Sequence, residues 1–523
     1  MFLKFNMNYK VILVILDGWG EGEKSYINPI YIAKKEFLDF ARKHFPFFLL
    51  QASGIAVGLP WGEEGNSEIG HLILGCGSVY YQNYSRITLS IKNGDFFENE
   101  TLKNLLNHAV ENNSNIHLIG LLTQGIIHAS FDHLVNLLEF FRRKNFNRVY
   151  LHLFLDGRDS PPQSGVSLLK KLEEVIKEKG VGKIATICGR SYGMDKNENW
   201  EVKTAVAFYL ITKGSGENVE NYIDYIENKY KEDPNFIDEN LEPLVIDKDG
   251  IIKDNDSVFF FNFRKDGMRQ IFEAFVNKDF DKFKRPEKKN LFIASMVEYI
   301  EGANIPCAFP PQKIKTNLTK IISENGLKQL KITEKAKEYP VTYCFNGFYK
   351  DLHPGEFWKI LPPSPIPFSE NPLMQSENIT NILIQAIKED IYSFILVNYV
   401  APDIIGHTGN INLAVQVAEG LDKYLKQVYD EIKDSDWVMI ITADHGNMEK
   451  MIDFETGKID TTHNDNPVPC YIIGRDFYIE EKDKKRLYEE EKNIRGTLAN
   501  VAPTILYLMG LEIPKEMEKP LIF

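Results

Sequence analysis

The sequence of 523 residues contains only five cysteines: Cys76, Cys188, Cys307, Cys344 and Cys470. They lie far apart, form no Cys-x-x-Cys pair and are odd in number, so they predict neither a thiolate zinc site nor a disulfide framework. A chain with this cysteine usage is typical of a reducing compartment. We therefore expect a cytoplasmic protein.

Long apolar runs and an excess of basic residues are also lacking. The longest aliphatic run, 11–16, is far shorter than the roughly 20 residues that span a bilayer. The opening segment MFLKFNMNYK is too short and polar for the apolar part of a secretory signal. A formal net charge of −13 argues against a general nucleic-acid binder or a binder of anionic membranes. We expect no nucleic-acid or membrane partner, and any anionic substrate must meet a local cluster of Arg and Lys.

Two common nucleotide-binding loops are missing as well. No segment reads GxxxxGK[ST], and GCGSVY at 75–80 lacks the third glycine of a dinucleotide fingerprint. The sequence therefore does not support nucleotide-dependent transfer.

What the sequence does contain is an alternation of short β-branched or aromatic runs with longer helix-like stretches, which predicts α/β architecture with parallel sheets. Three of these runs end in acidic or histidine residues: VILVILDGWG, SFILVNYVAPDIIGH and WVMIITADHG. In open α/β sheets, ligands bind at the carboxyl ends of the strands. The residues at these three ends are therefore expected to converge on one site.

The middle of the chain carries its own strand candidates, IHLIGLL, RVYLHLFLD, KIATIC and SVFFFNF, each followed by a polar segment. Prolines and polar residues near 81–85 and 307–312 interrupt any regular element. We predict a discontinuous first domain of residues 1–82 and 313–523, and a second α/β domain of residues 83–312 inserted into it.

The strand-end residues form two groups of possible metal ligands. Asp403 and His407 combine with His463 from THNDNPVP, and Asp17 combines with Asp444 and His445. Carboxylate and imidazole without thiolate suit Mn, Fe, Zn or Mg-like ions. Any one such Asp or His is ordinarily a helix cap or a packed residue, but three strand ends repeat the same chemistry. Two groups of about three ligands are the arrangement of two-metal phosphoryl-transfer enzymes.

The segment GNSEIGH, residues 65–71, offers a nucleophile. Taken alone it predicts a loop entering a helix, although Gly70 stands where a capping box has Glu or Gln. Coordination of a serine hydroxyl to a divalent cation lowers its pKa, so Ser67 is a candidate nucleophile if the metal groups lie nearby.

With these residues in view, the chain closely resembles the cofactor-independent phosphoglycerate mutases of the alkaline phosphatase superfamily. VILDGWG, GNSEIGH, FLDGRDSPP, GRSYGMD, APDIIGHTGN, TADHGNMEKM and THNDNPVP match family motifs in order along nearly the whole chain. The resemblance implies two three-layer α/β domains: an alkaline-phosphatase-like, metal-binding domain and an inserted transferase domain that binds the substrate.

Site residues follow from the resemblance position by position. One metal ion would be held by Asp403, His407 and His463, and the other by Asp17, Ser67, Asp444 and His445. The substrate would be bound by His128, Arg158, Asp159, Arg190, Lys196, Arg264 and Lys337. Arg suits this role because its planar fork binds carboxylate or phosphate bidentately.

The resemblance also implies the reaction. The phosphate of 3-phosphoglycerate moves to Ser67, the bound glycerate reorients, and its 2-hydroxyl takes the phosphate back with Asp159 as the base. Domain closure would exclude the water that hydrolyses phosphoserine. The implied cofactors are two divalent ions, with Mn2+ as the expected metal and no need for 2,3-bisphosphoglycerate, and the implied protein is a monomer.

Three positions depart from the family pattern. Lys196 replaces a second arginine after GRxYxMD, Gly267 replaces the last arginine of NFRxDR with Arg269 two positions on, and TQGIIH replaces SDGGVH. Lys196 keeps the positive charge but lacks the planar guanidinium that binds an anion bidentately, and Gly267 lacks both. These changes keep a second hypothesis open, namely a metal-dependent phosphatase or a mutase for another phosphorylated metabolite. A third hypothesis is a metal-bound but inactive binding protein.

Overall fold

The structure, a computed structural model, describes residues 8–453 and 456–522. Most of the opening segment considered above as a secretory signal, residues 1–7, lies outside the described residues. Within the described ranges, no helix combines the length and the apolar character needed to cross a membrane. The chain divides into two compact parts: the discontinuous unit, Met1–Gln82 with Lys313–Phe523, and the inserted unit, Asn83–Gln312.

The strands of the described residues are, in chain order, β1 (Lys10–Leu16), β2 (Phe47–Gln51), β3 (Ile116–Leu122), β4 (Val149–Leu155), β5 (Lys183–Gly189), β6 (Glu217–Asn218), β7 (Leu244–Val245), β8 (Ser257–Phe260), β9 (Phe292–Val297), β10 (Cys307–Phe309), β11 (Gln329–Glu334), β12 (Glu356–Leu361), β13 (Phe394–Tyr399), β14 (Trp437–Thr442), β15 (Val468–Ile473) and β16 (Ile494–Thr497).

The α-helices are α1 (Pro29–Ile32), α2 (Glu36–His44), α3 (Ser67–Cys76), α4 (Asn83–Asn93), α5 (Glu100–Glu111), α6 (Phe131–Arg143), α7 (Gly165–Lys179), α8 (Arg190–Gly193), α9 (Ala205–Lys213), α10 (Tyr222–Glu232), α11 (Arg269–Val276), α12 (Leu318–Glu324), α13 (Ser376–Glu389), α14 (Ala401–Gly406), α15 (Ile411–Ile432), α16 (Lys484–Lys492) and α17 (Val501–Leu508). The part of the chain that the structure describes also has two π-helical turns, Trp200–Thr204 and Pro340–Cys344.

The sheet of the discontinuous unit has the order β12-β11-β13-β1-β14-β15-β2-β16. Its five strands from β12 to β14 are parallel, whereas β15 is antiparallel to both β14 and β2. Strands β13, β1 and β14 are almost completely buried. A parallel strand covered on both faces reads as a continuous apolar run, which is why these three were recognisable in the sequence.

The sheet of the inserted unit has the order β10-β9-β8-β3-β4-β5-β7-β6. The strands from β10 to β5 are parallel, and β7 is antiparallel to β5. Each unit has its own hydrophobic core. The α/β fold class with two multi-stranded sheets is therefore confirmed, and every strand predicted from an apolar run is found.

Candidate active site

Three neighbouring strands of the discontinuous unit bring its acidic residues together. In the register of β1 with β13 and β14, Leu16 lies beside Tyr399 and Ile15 beside Thr442. Asp17 follows β1 directly, while Asp403 and Asp444 follow β13 and β14 within a few residues. All three side chains are at most 5% exposed, so the expected convergence is found at the carboxyl edge of this sheet.

Helix α3 places Ser67 at the same edge. The helix begins at Ser67, and the Asn66 side chain caps it by accepting a hydrogen bond of 3.0 Å from the Ile69 N–H. The helix entrance predicted from GNSEIGH is thus confirmed, with Asn66 as the capping residue. A helix N-terminus favours negative charge, so it is a suitable place for a serine that receives phosphate.

The Ser67 hydroxyl lies within hydrogen-bond reach of three charged or titratable groups. Lys337 Nζ donates to Ser67 Oγ at 2.6 Å, and the hydroxyl lies 3.0 Å from His445 Nε2 and 3.3 Å from Asp17 Oδ1. The ammonium stabilises an alkoxide at Ser67, whereas the imidazole and the carboxylate can accept the proton of its hydroxyl.

Lys337 lies in the middle of this cluster. Besides Ser67, its Nζ contacts Asp17 Oδ1 at 2.6 Å and Asp403 Oδ2 at 2.7 Å. Burial, the largest single influence, lowers the pKa of Lys337, but the carboxylates of Asp17, Asp403 and Asp444 outweigh it and hold the pKa above its ordinary value. The resemblance grouped Lys337 with the substrate residues, whereas its side chain lies among the predicted metal ligands.

The possible ligand atoms form two overlapping groups. One consists of Asp403, His445 and His463, the other of Asp17, Asp444 and His445, and within each group the atoms lie within 4.8 Å of one another. His445 therefore belongs to both groups. His407 adjoins the first group, since its Nε2 is 3.3 Å from Asp403 Oδ1 and 3.2 Å from His463 Nε2.

The three histidines are oriented as metal-binding histidines usually are. Their Nδ1 atoms face backbone carbonyls, with His463 at 2.8 Å from Gly65 O, His407 at 2.6 Å from Thr461 O and His445 at 3.3 Å from Gly446 O. A hydrogen bond at Nδ1 leaves the Nε2 lone pair as the ligand atom. In each case Nε2 lies at the carboxylate cluster.

The charge of the cluster also fits a bound cation. Three buried carboxylates face a single ammonium, and uncompensated buried charge is strongly unfavourable. Burial and repulsion from Asp444 raise the pKa of Asp17. A donor set of carboxylate and imidazole around an excess of negative charge fits divalent ions such as Mn, Mg, Zn or Co.

Four further residues, not identified from the sequence, hold the ligands in place. Asn398 donates to Asp17 Oδ2 at 2.8 Å, His71 lies 3.1 Å from Asp444 Oδ2, and Asn447 donates to Asp403 Oδ1 at 2.8 Å. Glu449 Oε2 accepts hydrogen bonds from the backbone N–H groups of Gly20 and Asn447, at 2.8 and 3.0 Å. Asn398 is a polar residue inside the buried apolar strand β13. Because a buried polar side chain needs a hydrogen-bond partner, its position in the sequence could have indicated a contact with the site.

A second polar cluster lies in the inserted unit at the ends of β4 and β5. Arg190 Nη1 donates to Asp156 at 2.5 Å and to Asp159 Oδ2 at 2.8 Å. His128 Nε2 lies 3.9 Å from Asp159 Oδ2. Burial, followed by the charge of Arg190, lowers the pKa of His128. Asp156 was not singled out in the sequence, although it stands directly before the GRDS segment.

A cavity of about 240 Å³ lies beside this cluster. Its lining includes the predicted residues His128, Arg158, Arg190 and Lys196, together with Lys203 and Gly267. Arg264 is close by, paired through Nε with Asp266 Oδ1 at 3.1 Å, and that carboxylate lies 3.8 Å from His128 Nδ1. The predicted substrate residues other than Lys337 are thus grouped within the inserted unit.

Comparisons with known proteins agree with one another, and the relatives cover nearly the whole chain. A family model described as the BPG-independent PGAM N-terminus matches residues 87–301. The 2,3-bisphosphoglycerate-independent phosphoglycerate mutase of Clostridium novyi (strain NT) is 42% identical over 521 residues, which cover 98% of this chain and 99% of the relative. The enzyme of the same name from Clostridium beijerinckii is 41% identical, with 97% of each chain covered.

A solved structure gives the same result. The phosphoglycerate mutase of Leishmania mexicana, crystallised at low cobalt concentration, has 29% sequence identity and a TM-score of 0.51, with 99% of this chain and 98% of that one covered. Fold and site define an α/β protein that can hold metal ions around a serine hydroxyl. The identities establish the particular group: the chain belongs to the family of 2,3-bisphosphoglycerate-independent phosphoglycerate mutases.

Proposed function

We propose that the protein interconverts 3-phosphoglycerate and 2-phosphoglycerate through a phosphoserine at Ser67. The observation that carries the proposal is the position of the Ser67 hydroxyl, 2.6 Å from Lys337 Nζ and beside both groups of possible metal ligands. Family membership supplies the reaction, because the relatives are phosphoglycerate mutases that are independent of 2,3-bisphosphoglycerate. The reaction belongs to glycolysis and gluconeogenesis, and we place it in the cytoplasm and in a monomer.

We propose two divalent ions as cofactors, with Mn2+ as the expected metal. Asp403, His407 and His463 would hold one ion, and Asp17, Ser67, Asp444 and His445 would hold the other. His445 belongs to both groups of possible ligand atoms. When bound, such ions supply positive charge that lowers the pKa of the serine hydroxyl and compensates phosphate oxygens.

The first half-reaction transfers the phosphate to the protein. Ser67 Oγ loses its proton and bonds to phosphorus as the bond between phosphorus and the glycerate 3-oxygen breaks. The 3-oxygen takes up a proton, so in the net step one proton passes from the serine hydroxyl to glycerate. Lys337 Nζ, which already donates to Ser67 Oγ, stabilises the negative charge on Ser67 Oγ once its proton has left. The position of Ser67 at the start of α3 adds the favourable field of a helix N-terminus.

In the second half-reaction the glycerate takes the phosphate back. Asp159 accepts the proton of the 2-hydroxyl, whose oxygen bonds to phosphorus as the Ser67 Oγ–P bond breaks. Ser67 Oγ then takes up a proton and Asp159 releases one, so the protein returns to its starting state. Arg190 holds the Asp159 carboxylate at 2.8 Å and so fixes its orientation. His128, Arg158, Lys196 and Arg264 bind the charged groups of the substrate. The substrate donates the phosphate in the first half-reaction, and Ser67 returns it to glycerate in the second. No 2,3-bisphosphoglycerate is therefore needed as a phosphate donor.

The test is incubation of the full chain with 3-phosphoglycerate and Mn2+ in the absence of 2,3-bisphosphoglycerate. We expect 2-phosphoglycerate from the wild type and from Ser364→Ala, which changes a half-buried loop serine, and none from Ser67→Ala. No isomer at any concentration of wild-type enzyme contradicts the proposal. Inorganic phosphate in place of the isomer supports the alternative, a metal-dependent phosphatase.

A further inference from the structure

The cavity of the inserted unit contains two cations without a carboxylate partner. Its arginines are paired: Arg158 with Glu239, and Arg190 with two aspartates. For Lys196 and Lys203, by contrast, no carboxylate oxygen of the described residues lies within 4.0 Å. In a chain of net charge −13, two unpaired ammonium groups in one cavity are available to an anionic ligand. Lys196 was expected from its motif, but nothing so far assigns Lys203.

The backbone directs Lys203 into the cavity. It lies in the π-helical turn Trp200–Thr204, which precedes α9 and whose hydrogen bonds span one residue more than those of an α-helix. In this turn Val202 is 68% exposed while Lys203 lines the cavity. An apolar side chain in solvent beside a lysine turned inward is the opposite of the usual arrangement. Turns of this type are frequent at functional sites.

The contacts of the Lys203 ammonium hold it in place without neutralising it. Nζ lies 4.2 Å from the centre of the Tyr192 ring and 3.4 Å from Ser191 Oγ. Both partners are uncharged, so they orient the ammonium and leave its charge free for a ligand.

Gly267 lines the same cavity and lacks the arginine that the family pattern places there. The backbone leaves room for a side chain at this position. A Cβ on Gly267 would lie 2.8 Å from the terminal methyl of Met194, which can move because it is the flexible end of that side chain, and its other neighbours lie at 3.4 Å or more. The cavity therefore lacks a cation at position 267 and has one at position 203.

We propose that Lys203 binds the carboxylate of the substrate and replaces the charge absent at position 267. This inference rests on the proposed function. Once the phosphate has moved to Ser67, the carboxylate is the one charged group left on glycerate. Cations that hold it keep the acceptor in place until the 2-hydroxyl takes the phosphate back. Without them glycerate escapes, water attacks the phosphoserine, and inorganic phosphate is released.

The experiment compares Lys203→Met with Lys213→Met in the full chain with Mn2+. Lys213 is the matched control, since its Nζ lies 4.1 Å from the Tyr209 ring centre but it does not line the cavity. For Lys203→Met we expect KM for 3-phosphoglycerate to rise about tenfold, as for the loss of one charged hydrogen bond. We also expect more inorganic phosphate per isomer formed. Lys213→Met is expected to match the wild type in both quantities.

Two further variants separate a loss of charge from a loss of structure. Lys203→Arg keeps the charge and should keep the wild-type ratio of phosphate to isomer. Gly267→Arg in the Lys203→Met background should lower KM and phosphate release again. If Lys203→Met folds with wild-type KM and wild-type phosphate release, or if neither variant restores the ratio, the inference is wrong.

The failure of the inference can be told apart from the failure of the proposed function. If the wild type isomerises and Lys203→Met behaves like it, only the role of Lys203 is wrong. If the wild type does not isomerise, the proposed function is wrong, and calorimetric binding of glycerate then tests Lys203 alone. We expect binding to weaken about tenfold in Lys203→Met and to be unchanged in Lys213→Met, and equal binding by both variants contradicts the inference.

Discussion

Lys337 is the residue on which the charge balance of the metal-ligand cluster depends. Its Nζ bridges Asp17, Asp403 and Ser67 at 2.6 to 2.7 Å. Because the carboxylates outnumber it, the protein without metal depends on this ammonium to keep them charged and buried. The same ammonium donates to the nucleophile, so a single side chain serves both stability and chemistry.

Replacement of Lys337 by Met is expected to lower the stability of the metal-free protein by about 3 kcal/mol, as for a buried ion pair broken on one side. Added Mn2+ should then raise the thermal unfolding midpoint more in Lys337→Met than in the wild type, since the metal restores the missing charge. Thermal unfolding with and without Mn2+ measures both effects. An equal metal-induced increase in the two proteins contradicts this role of Lys337.

His133 makes stability depend on pH in the inserted unit. Its side chain is 2% exposed and lies 2.9 Å from Thr88 Oγ1, and burial lowers its pKa to about 3. Between that pKa and the ordinary value of about 6.5, the unfolded chain binds a proton that the folded chain does not. Stability is therefore lost as the pH falls below about 6.5.

Denaturant unfolding of His133→Gln at two pH values tests this. From pH 7.5 to 5.5, we expect the free energy of unfolding of the wild type to fall by about 1.4 kcal/mol more than that of the variant. Equal decreases in the two proteins would show that His133 titrates normally in the folded state.

At the scale of the elements, α3 must approach β14 closely. A Cβ on Gly70 would lie 2.5 Å from the Asp444 carbonyl oxygen and 2.8 Å from Asp444 Cβ, which are backbone and near-backbone atoms that cannot yield easily. Glycine at 70 therefore sets the distance between the helix that carries Ser67 and the strand end that carries two ligands. This explains why a capping-box residue is absent from this position.

Gly70→Ala is expected to move α3 away from Asp444 and to lower kcat at least tenfold, because small displacements of reacting groups are costly. The control is Gly94→Ala. A Cβ on Gly94 would meet no atom within 4 Å, but its φ of +90° strains any other residue, so this variant tests backbone strain without crowding. Steady-state kinetics with circular dichroism checks both variants. Wild-type kcat in Gly70→Ala would show that the close approach is not required.

The elements also show what the sequence could predict. Strands β1, β13 and β14 were found because buried parallel strands are continuous apolar runs, and their polar ends marked the site. The short strands β6 and β7, with two residues each, have no detectable period. The position of Lys337 was also unpredictable, because its contacts join segments more than sixty residues apart. Such contacts depend on strand order, which local pattern does not encode.

At the scale of the whole molecule, metal binding should be coupled to the stability of the discontinuous unit. Its possible ligands come from the segments that follow β1, β13 and β14, with Asp403 in α14, and from the segment around His463. A ligand that binds only the folded state stabilises it in proportion to the logarithm of its concentration.

We expect a chelator to lower the thermal unfolding midpoint, and Mn2+ to restore it in a concentration-dependent manner. Asp403→Asn should lose most of this dependence. The matched control is Asp390→Asn, which changes an exposed residue paired with Lys10. An unfolding midpoint of the wild type that is indifferent to chelator and to Mn2+ contradicts the proposed metal site.

The central claim is that Ser67 carries the phosphate between the two positions of glycerate. The most direct measurement is mass spectrometry of the protein quenched in acid during turnover with 3-phosphoglycerate and Mn2+. The account predicts one phosphate, located on Ser67 in the peptide that contains GNSEIGH. It also predicts neither phosphate nor isomer in Ser67→Ala. A phosphate on another residue, or isomerisation that persists in Ser67→Ala, would contradict it.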